Sequence, residues 1–232
     1  MKIDLHCHTE YSGDSSTPIG AVPARCREQD IAVQAITDHG TIEGAQKIRT
    51  MVEIQEDGEL PGLTIIVGEE ITTRAGELVG LFLDESIPHY LSAEETVRRI
   101  KAQQGLVLLP HGFDPWKRYR LRPEVRERIA DSIDIIETFN ASVSRRRWNR
   151  EAVAWAETHG ALMSAGSDAH TLASIGRAWV EVSTRPIRGP EDLLAAMEGG
   201  VPMGRWSNPI LGFLYKVWDF FRWRIKPWKA DD

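Results

Sequence analysis

The deciding stretch of this sequence is Ile3-Asp4-Leu5-His6-Cys7-His8-Thr9. Successive side chains of a β-strand point to opposite faces, so His6 and His8 are predicted to share one face while Leu5 and Cys7 take the other. Two imidazoles on one rigid strand form a pair of ligands that suits zinc, iron or manganese. Cys7, on the opposite face, is predicted to be a buried core thiol and not a ligand.

Composition limits the class of protein. The chain has 232 residues, of which 42% are hydrophobic and 27% charged, which is ordinary for a globular protein and long enough for one large α/β domain. The net charge of −6 gives no broad attraction to nucleic acid. Two cysteines are too few for a disulfide framework and fit a reducing cytoplasm. Because no apolar run suits a signal peptide or a membrane span, we expect a cytoplasmic protein.

Predicted strands recur along the chain, and predicted helices separate most of them. Strands that alternate with helices are typical of α/β domains with parallel strands. After the first strand, the predicted strands cover residues 31–37, 63–67, 77–83, 106–110, 133–139, 161–165 and 177–183, and the predicted helices cover residues 18–30, 42–55, 92–104, 144–159 and 190–199.

Most of these strands are followed by residues of the kinds that bind metals. Barrel enzymes assemble their sites from the carboxyl ends of several strands, so this distribution favours a barrel over an open sheet. The candidate ligands are His6, His8, Asp14, Asp38, His39, Glu70, Glu77, His111, Asp168 and His170.

Five motifs together resemble the PHP (polymerase and histidinol phosphatase) superfamily. They are Asp-Leu-His-Cys-His-Thr, Ile-Thr-Asp-His-Gly-Thr, Gly-Glu-Glu-Ile-Thr, Leu-Pro-His-Gly and Gly-Ser-Asp-Ala-His, and they fall between residues 3 and 170. The resemblance implies a small stand-alone member with a distorted (β/α)7 barrel. It also implies two or three bound divalent metal ions (zinc, manganese or iron) and hydrolysis of phosphate esters.

The resemblance further implies a ligand set for each metal ion. The first ion would be held by His6, His8, Glu70 and Asp168. Glu70 would bridge to a second ion, which would also take His111 and Glu77, although relatives often carry a histidine where this chain has Glu77. A third ion would be held by Asp14, His39 and His170. Asp168 is expected to be indispensable for catalysis, and Asp38 or His170 is a candidate to protonate the leaving oxygen.

Three arginines and an asparagine are candidates for substrate binding. Arg145 and Arg146 stand at a predicted helix start, where guanidinium forks could grip a phosphate; the alternative is a solvated helix face. Arg118 belongs to a second basic group, residues 117–122, flanked by Trp116, which could clasp a nucleotide. Asn140, after the strand over residues 133–139, would lie beside the metals or the substrate.

The barrel is predicted to occupy residues 1–204, and residues 205–232 form a tail of different composition. The tail holds four of the eight tryptophans, and its basic residues outnumber its acidic ones. It is expected to pack on the barrel or on a second subunit of a homo-oligomer. The alternative is an anionic membrane surface, which would place the protein at the inner face of the membrane.

The expected activity is metal-dependent hydrolysis of a phosphomonoester, which would be a small metabolite, a nucleotide or an oligonucleotide end. Two other readings stay open. An amidohydrolase-like site would cleave a C–N bond, often with a carboxylated lysine at a strand end, and the motifs contain no lysine. A metal-stabilised binding module would have no activity at all.

Overall fold

A computed structural model describes residues 1–55, 62–183 and 185–206. All of the predicted strands are present, and the described residues add a ninth strand near the end. The strands are β1 (Lys2–Asp4), β2 (Ile31–Ile36), β3 (Thr64–Thr73), β4 (Gly76–Leu81), β5 (Leu106–Leu109), β6 (Ile135–Asn140), β7 (Leu162–Gly166), β8 (Ala178–Glu181) and β9 (Val201–Gly204). The α-helices are α1 (Val22–Glu28), α2 (Glu43–Gln55), α3 (Ala93–Ala102), α4 (Pro123–Arg128), α5 (Arg147–His159) and α6 (Pro190–Met197).

The strands form one sheet that curls into a nearly closed barrel. Their order is β7-β6-β5-β4-β3-β2-β1-β8-β9. The gap between the ends of β1 and β7 is bridged because Leu5 N donates to Ala165 O at 3.4 Å and Cys7 pairs with Ala169 in a parallel bridge. The predicted α/β barrel is therefore confirmed, and the carboxyl ends of distant strands meet at one rim.

Strand β4 departs from the expectation of parallel βαβ units. It pairs antiparallel with both β3 and β5, and β8 likewise pairs antiparallel with β1 and β9, whereas the β1–β2, β2–β3, β5–β6 and β6–β7 pairs are parallel. Only Arg74 and Ala75 separate β3 from β4, and a parallel connection would need a crossover of a dozen or more residues. The short turn therefore forces a hairpin, and the resulting antiparallel strand is a departure from an all-parallel barrel.

Helix α1 begins later than its sequence predicts. The expected helix starts at residue 18, but residues Ile19–Ala21 form a turn of 3₁₀ helix, and α1 begins at Val22. Pro23 explains the difference, because proline is tolerated in the first turn of an α-helix and not further inside. The predicted start of α3 is confirmed, since the Ser92 hydroxyl accepts a hydrogen bond from Glu95 N at 3.1 Å.

Two apolar clusters support the barrel. One is built from strand residues such as Val33, Ile66 and Leu108 and extends to Leu193 of α6. The other lies between the strands and the surrounding helices. Both cysteines are fully buried in this second cluster, as predicted for Cys7.

The first two residues of the predicted tail lie against the barrel. Arg205 N donates to Arg177 O, and the indole nitrogen of Trp206 donates to Val143 O, each at 2.7 Å. The expectations for the rest of the tail fall on residues 207–232, outside the described residues. None of the helices in the described ranges is both long and apolar enough to cross a membrane.

Candidate metal centre

His6 and His8 turn their imidazoles to the same side, as predicted, although both lie beyond β1, which ends at Asp4 and not after His8. Their Nε2 atoms are 3.0 Å apart, and both side chains are fully buried. The Oε2 atom of Glu70 lies 3.1 Å from His6 Nε2 and 3.2 Å from His8 Nε2. Asp168 stands next to them, with its Oδ1 atom 3.6 Å from His8 Nε2. These are the four side chains that the resemblance implies for the first metal ion.

Glu70 also faces a second group of ligand-type atoms. Its Oε1 atom lies 3.1 Å from the Nε2 atom of His111, which in turn lies 3.9 Å from an oxygen of Glu77. The other Glu77 oxygen is 3.9 Å from His39 Nδ1. Glu70 thus stands between the first two groups, where a bridging carboxylate would be, and His39 reaches the second group as well as the third.

The third group lies at the more exposed edge of the rim. His170 Nε2 is 2.9 Å from Asp14 Oδ2, and His39 Nε2 is 3.9 Å from the same oxygen. His8 joins this group, because its ring stacks on those of His170 and His39 at centroid distances of 4.2 and 4.7 Å. The resemblance does not place His8 in this group.

Lys117 enters the same rim from the loop over residues 111–122. Its ammonium donates to Asp168 Oδ2 and, at 2.7 Å, to the Ser142 hydroxyl. Burial alone would raise the pKa of Asp168, but the Lys117 charge and the neighbouring histidines hold that pKa well below its usual range. Asp168 is therefore ionised, with one oxygen on Lys117 and the other facing the histidines.

Glu137, within β6, lies in the centre but is not among the residues predicted from the sequence. Its Oε1 atom accepts a hydrogen bond from His6 Nδ1 at 2.7 Å, and its Oε2 atom accepts from His111 N and from Asn140 Nδ2, both at 2.8 Å. A carboxylate on the Nδ1 atom of a histidine fixes the ring and leaves Nε2 for a metal. The available signal was a glutamate inside the apolar strand Ile-Ile-Glu-Thr-Phe, since a buried charge needs partners.

The carboxylates of the centre crowd one another. Burial and the negative charges of Glu70 and Asp168 raise the pKa of Glu77 to about 9. Burial and the neighbouring His170 lower the pKa of His8 to about 3, so this imidazole is neutral and its nitrogen lone pair is available. Glu77 can be an anion at neutral pH only if further positive charge enters the site, and a bound cation supplies such charge.

The donor set fits divalent cations. Ligands about 2.0–2.2 Å from one ion are themselves separated by only a few ångströms. Imidazole and carboxylate groups are the ligands that zinc, manganese and iron accept. In each of three groups the donor atoms all lie within 4.8 Å of one another: His6, His8 and Glu70; His39, Glu70 and Glu77; and His8, Asp14, His39 and His170.

The backbone at two of these residues is strained. His111 and Asp168 have φ values of +24° and +48°, in a region that residues other than glycine rarely adopt. Each follows a strand end, β5 or β7, and Asp168 N donates to His6 O at 2.9 Å. Such conformations persist where the surroundings enforce them, and they concentrate at functional sites.

Asp38 and Asn140 lie beside the centre. Asp38 accepts hydrogen bonds from Thr9 N at 2.5 Å and from the Thr9 hydroxyl at 2.7 Å, and its burial raises its pKa to about 6. Thr9 follows His8, so Asp38 fixes the end of the histidine-bearing segment. The Asn140 amide lies 3.5 Å from Asp168 Oδ2 and donates to Glu137, so it connects these two carboxylates.

The three candidate arginines have different surroundings. Arg118 is exposed, with its guanidinium 5.1 Å from the centre of the Tyr119 ring, and its neighbour Lys117 is the side chain that reaches the centre. Arg145 is exposed just before α5. The guanidinium of Arg146 lies 5.5 Å from the centre of the Trp206 ring and lines a cavity separate from this centre.

Two sequence families match the chain. The family described as "PHP domain" matches residues 4–143, and the family described as "PHP-associated" matches residues 146–202. Two uncharacterized proteins of Methanocaldococcus jannaschii are similar to the chain. MJ0417 is 34% identical over 197 residues, which cover 83% of this chain and 75% of the relative. MJ1587 is 39% identical over 152 residues, which cover 61% and 82%.

Solved structures share the fold at low sequence identity. A two-domain Bacteroides vulgatus protein that contains a predicted PHP-like metal-dependent phosphoesterase has a TM-score of 0.70 at 18% identity, covering 93% of this chain and 69% of its own. PsfC from Pseudomonas syringae has a TM-score of 0.69 at 16% identity, covering 93% and 97%. An amidohydrolase from Chromobacterium violaceum has a TM-score of 0.61 at 17% identity, covering 88% and 98%.

The two kinds of comparison agree on the family and on the fold. The family match covers the segments that supply His6, His39, Glu70 and His111, and the structural neighbours reproduce the barrel that brings them together. This chain belongs to the PHP domain family.

Proposed function

We propose that this chain is a metal-dependent phosphoesterase that releases phosphate from a phosphomonoester, with a small metabolite, a nucleotide or an oligonucleotide end as substrate. One observation carries the proposal. Imidazoles and carboxylates from the ends of β1, β2, β3, β5 and β7 converge, each with a ligand-type atom within 4 Å of the next, and a lysine ammonium stands at the same rim. Such a rim suits a substrate whose reacting group is an anion surrounded by cations.

The ligands would form two or three sites, each for one ion of zinc, manganese or iron. His6, His8, Glu70 and Asp168 would hold one ion, Glu70 with His111 and Glu77 a second, and Asp14, His39 and His170 a third. When bound, such ions lower the pKa of a water molecule and neutralise phosphoryl oxygens. Glu137 would keep His6 in one orientation, and Asp38 would hold Thr9 and thereby His8.

Lys117 would bind the phosphoryl group. Its Nζ atom is a point charge on a half-buried side chain, 2.7 Å from the Ser142 hydroxyl and next to Asp168. Once cations share the charge of Asp168, the ammonium becomes free to donate to a phosphoryl oxygen. If only the first two ions are bound, His170 is free of metal, and it is then the better placed of the two candidate proton donors, because both oxygens of Asp38 are engaged by Thr9.

The experiment is a panel of phosphorylated metabolites, nucleotides and short oligonucleotides with a terminal phosphate, assayed for phosphate release with manganese or zinc present. We expect turnover of at least one member and its loss in Asp168→Ala, with an unchanged circular dichroism spectrum. Glu181→Ala, at an exposed position of β8, is the matched control and should keep full activity. Unchanged activity of Asp168→Ala would refute the assignment of this rim.

A second candidate is hydrolysis of a C–N bond, which two observations favour. One neighbour in fold is described as an amidohydrolase, and a lysine does reach the rim although the motifs contain none. However, the ion pair with Asp168 requires Lys117 to be an ammonium, which does not react with carbon dioxide to form a carbamate. Adding amide and acyl substrates to the same panel separates the two reactions, and no turnover of either class would favour a binding module.

A further inference from the structure

A cavity separate from the metal centre lies between α5, β6 and β9. Its volume is about 630 Å³, within the range of small-molecule sites. It includes none of the ligand-type residues of the metal centre, and its walls come mainly from the part of the chain that matches the PHP-associated family. Arg146, which the sequence analysis expected at the substrate, lines this cavity instead.

The charged side chains that line the cavity are all positive. Arg146, Arg150 and Arg205 all line it, and the lining contains no aspartate or glutamate among the described residues. Within those residues, none of the three guanidinium groups has an ion pair with a carboxylate. Three guanidinium groups around one cavity favour the binding of an anion with several oxygens, such as a phosphate.

The rest of the wall is apolar and aromatic. Phe139 and Trp206 contribute rings, and Val153, Met163 and Pro202 add aliphatic surface. Trp206 is held in place by the hydrogen bond from its indole nitrogen to Val143 O at 2.7 Å. An aromatic ring held beside guanidinium groups is expected to bind a ligand in which a phosphate is joined to a flat ring.

We propose that this cavity is a second ligand site, distinct from the metal centre, that binds a nucleoside phosphate. The arginines would grip the phosphate oxygens, and the base would pack on the aromatic wall. The site also touches the metal centre indirectly. The Asn149 side chain lines the cavity and makes hydrogen bonds with the backbone N and O of Asn140, at 3.2 and 3.3 Å, and Asn140 donates to Glu137.

The test is calorimetric titration of the full, metal-loaded chain with α,β-methylene-ADP, a probe whose terminal phosphate cannot be hydrolysed from its carbon bridge. We expect a binding event that Arg150→Ala and Arg205→Ala each weaken roughly tenfold or more, because each removes charged hydrogen bonds to the phosphate. Inorganic phosphate alone and adenosine alone should each bind more weakly than the joined ligand.

Arg49→Ala is the matched control, since Arg49 is a surface arginine of α2 outside this cavity, and it should bind like the wild type. Phosphate release should continue in Arg150→Ala, so failure of this proposal would not be confused with failure of the proposed activity. The proposal is overturned if the wild type does not bind the probe, or if both cavity variants give the wild-type isotherm.

Discussion

The Nδ1 atom of His6 and the Oε1 atom of Glu137 lie 2.7 Å apart, and both side chains are fully buried. The contact joins the segment that follows β1 to strand β6. It selects the imidazole tautomer that presents Nε2 to Glu70 and His8, and it keeps the ring in that direction. The orientation of His6 in the candidate metal centre is therefore set by a carboxylate that belongs to none of the three ligand groups.

Replacing Glu137 by glutamine tests this dependence. The neutral side chain keeps the volume but loses the charge that orients His6, so we expect metal affinity to fall by roughly 10- to 100-fold. Competition with a fluorescent chelator measures that affinity. Glu181→Gln, on an exposed part of β8, serves as the control and should bind metal like the wild type. Equal affinities in the two variants would show that Glu137 has only a packing role.

Replacing Lys117 by methionine tests the proposed phosphate contact. The variant keeps an unbranched apolar chain and loses the ammonium, so kcat/KM for a phosphomonoester should fall by roughly 10- to 100-fold, as expected for one lost charged hydrogen bond. Bound metal, measured by elemental analysis, should not fall, because Lys117 is not among the ligands. Lys117→Arg should restore part of the activity. A loss of metal equal to the loss of activity would contradict the assignment.

Gly166 is predicted not to tolerate a larger side chain, because Glu137 and His6 both lie close to its backbone. A methyl group there would overlap the Glu137 carboxylate and the Cβ atom of His6. Gly166→Ala should therefore lower the free energy of unfolding by about 1–3 kcal/mol, the usual cost of overpacking, and weaken metal binding. Urea denaturation measures the first effect. Gly20→Ala, where a methyl group would meet no atom within 4 Å, should change neither quantity.

The two thiols are predicted to be unreactive in the folded protein. Burial raises the pKa of Cys26 to about 12 and that of Cys7 well above its usual value, so neither forms the reactive thiolate near pH 8. A coloured disulfide reagent should label both thiols only after denaturation. Immediate labelling of the native protein would contradict their burial.

The raised thiol pKa values also predict the direction of a pH effect. An unfolded thiol ionises near pH 8.5 and the folded Cys26 near 12, so the folded state binds more protons between these values. Stability is then fully present below about pH 8.5 and falls as the pH rises toward 12. Cys26→Ala should show a shallower decline of the urea midpoint over this range than the wild type.

The parts of the site that lie just beyond strand ends could be predicted from the sequence. Alternation along a predicted first strand put His6 and His8 on one face, although β1 ends at Asp4, and the apolar strand before His111 put that residue at a rim. Each inference used a period of two and the position of a strand end, which are local properties. The barrel followed because many strand ends carried the same kinds of residue.

The remaining parts depend on contacts between segments far apart in the chain. Lys117 reaches the centre because the irregular loop that carries it docks on the β3–β4 hairpin, where Glu77 N donates to Tyr119 O at 2.7 Å and the loop backbone crosses Gly76. No periodic pattern in the sequence predicts such a contact between a loop and a hairpin. Arg146 was expected at the rim and does not reach it. Its place at a helix start was predictable, but the direction of that helix relative to the rim was not.

The most direct test of the central claim combines elemental analysis of the purified chain with phosphate release before and after chelation. We predict two or three equivalents of zinc, manganese or iron, loss of activity when a chelator removes them, and recovery when manganese or zinc is returned. Phosphate release that continues undiminished from protein without bound metal would contradict the account.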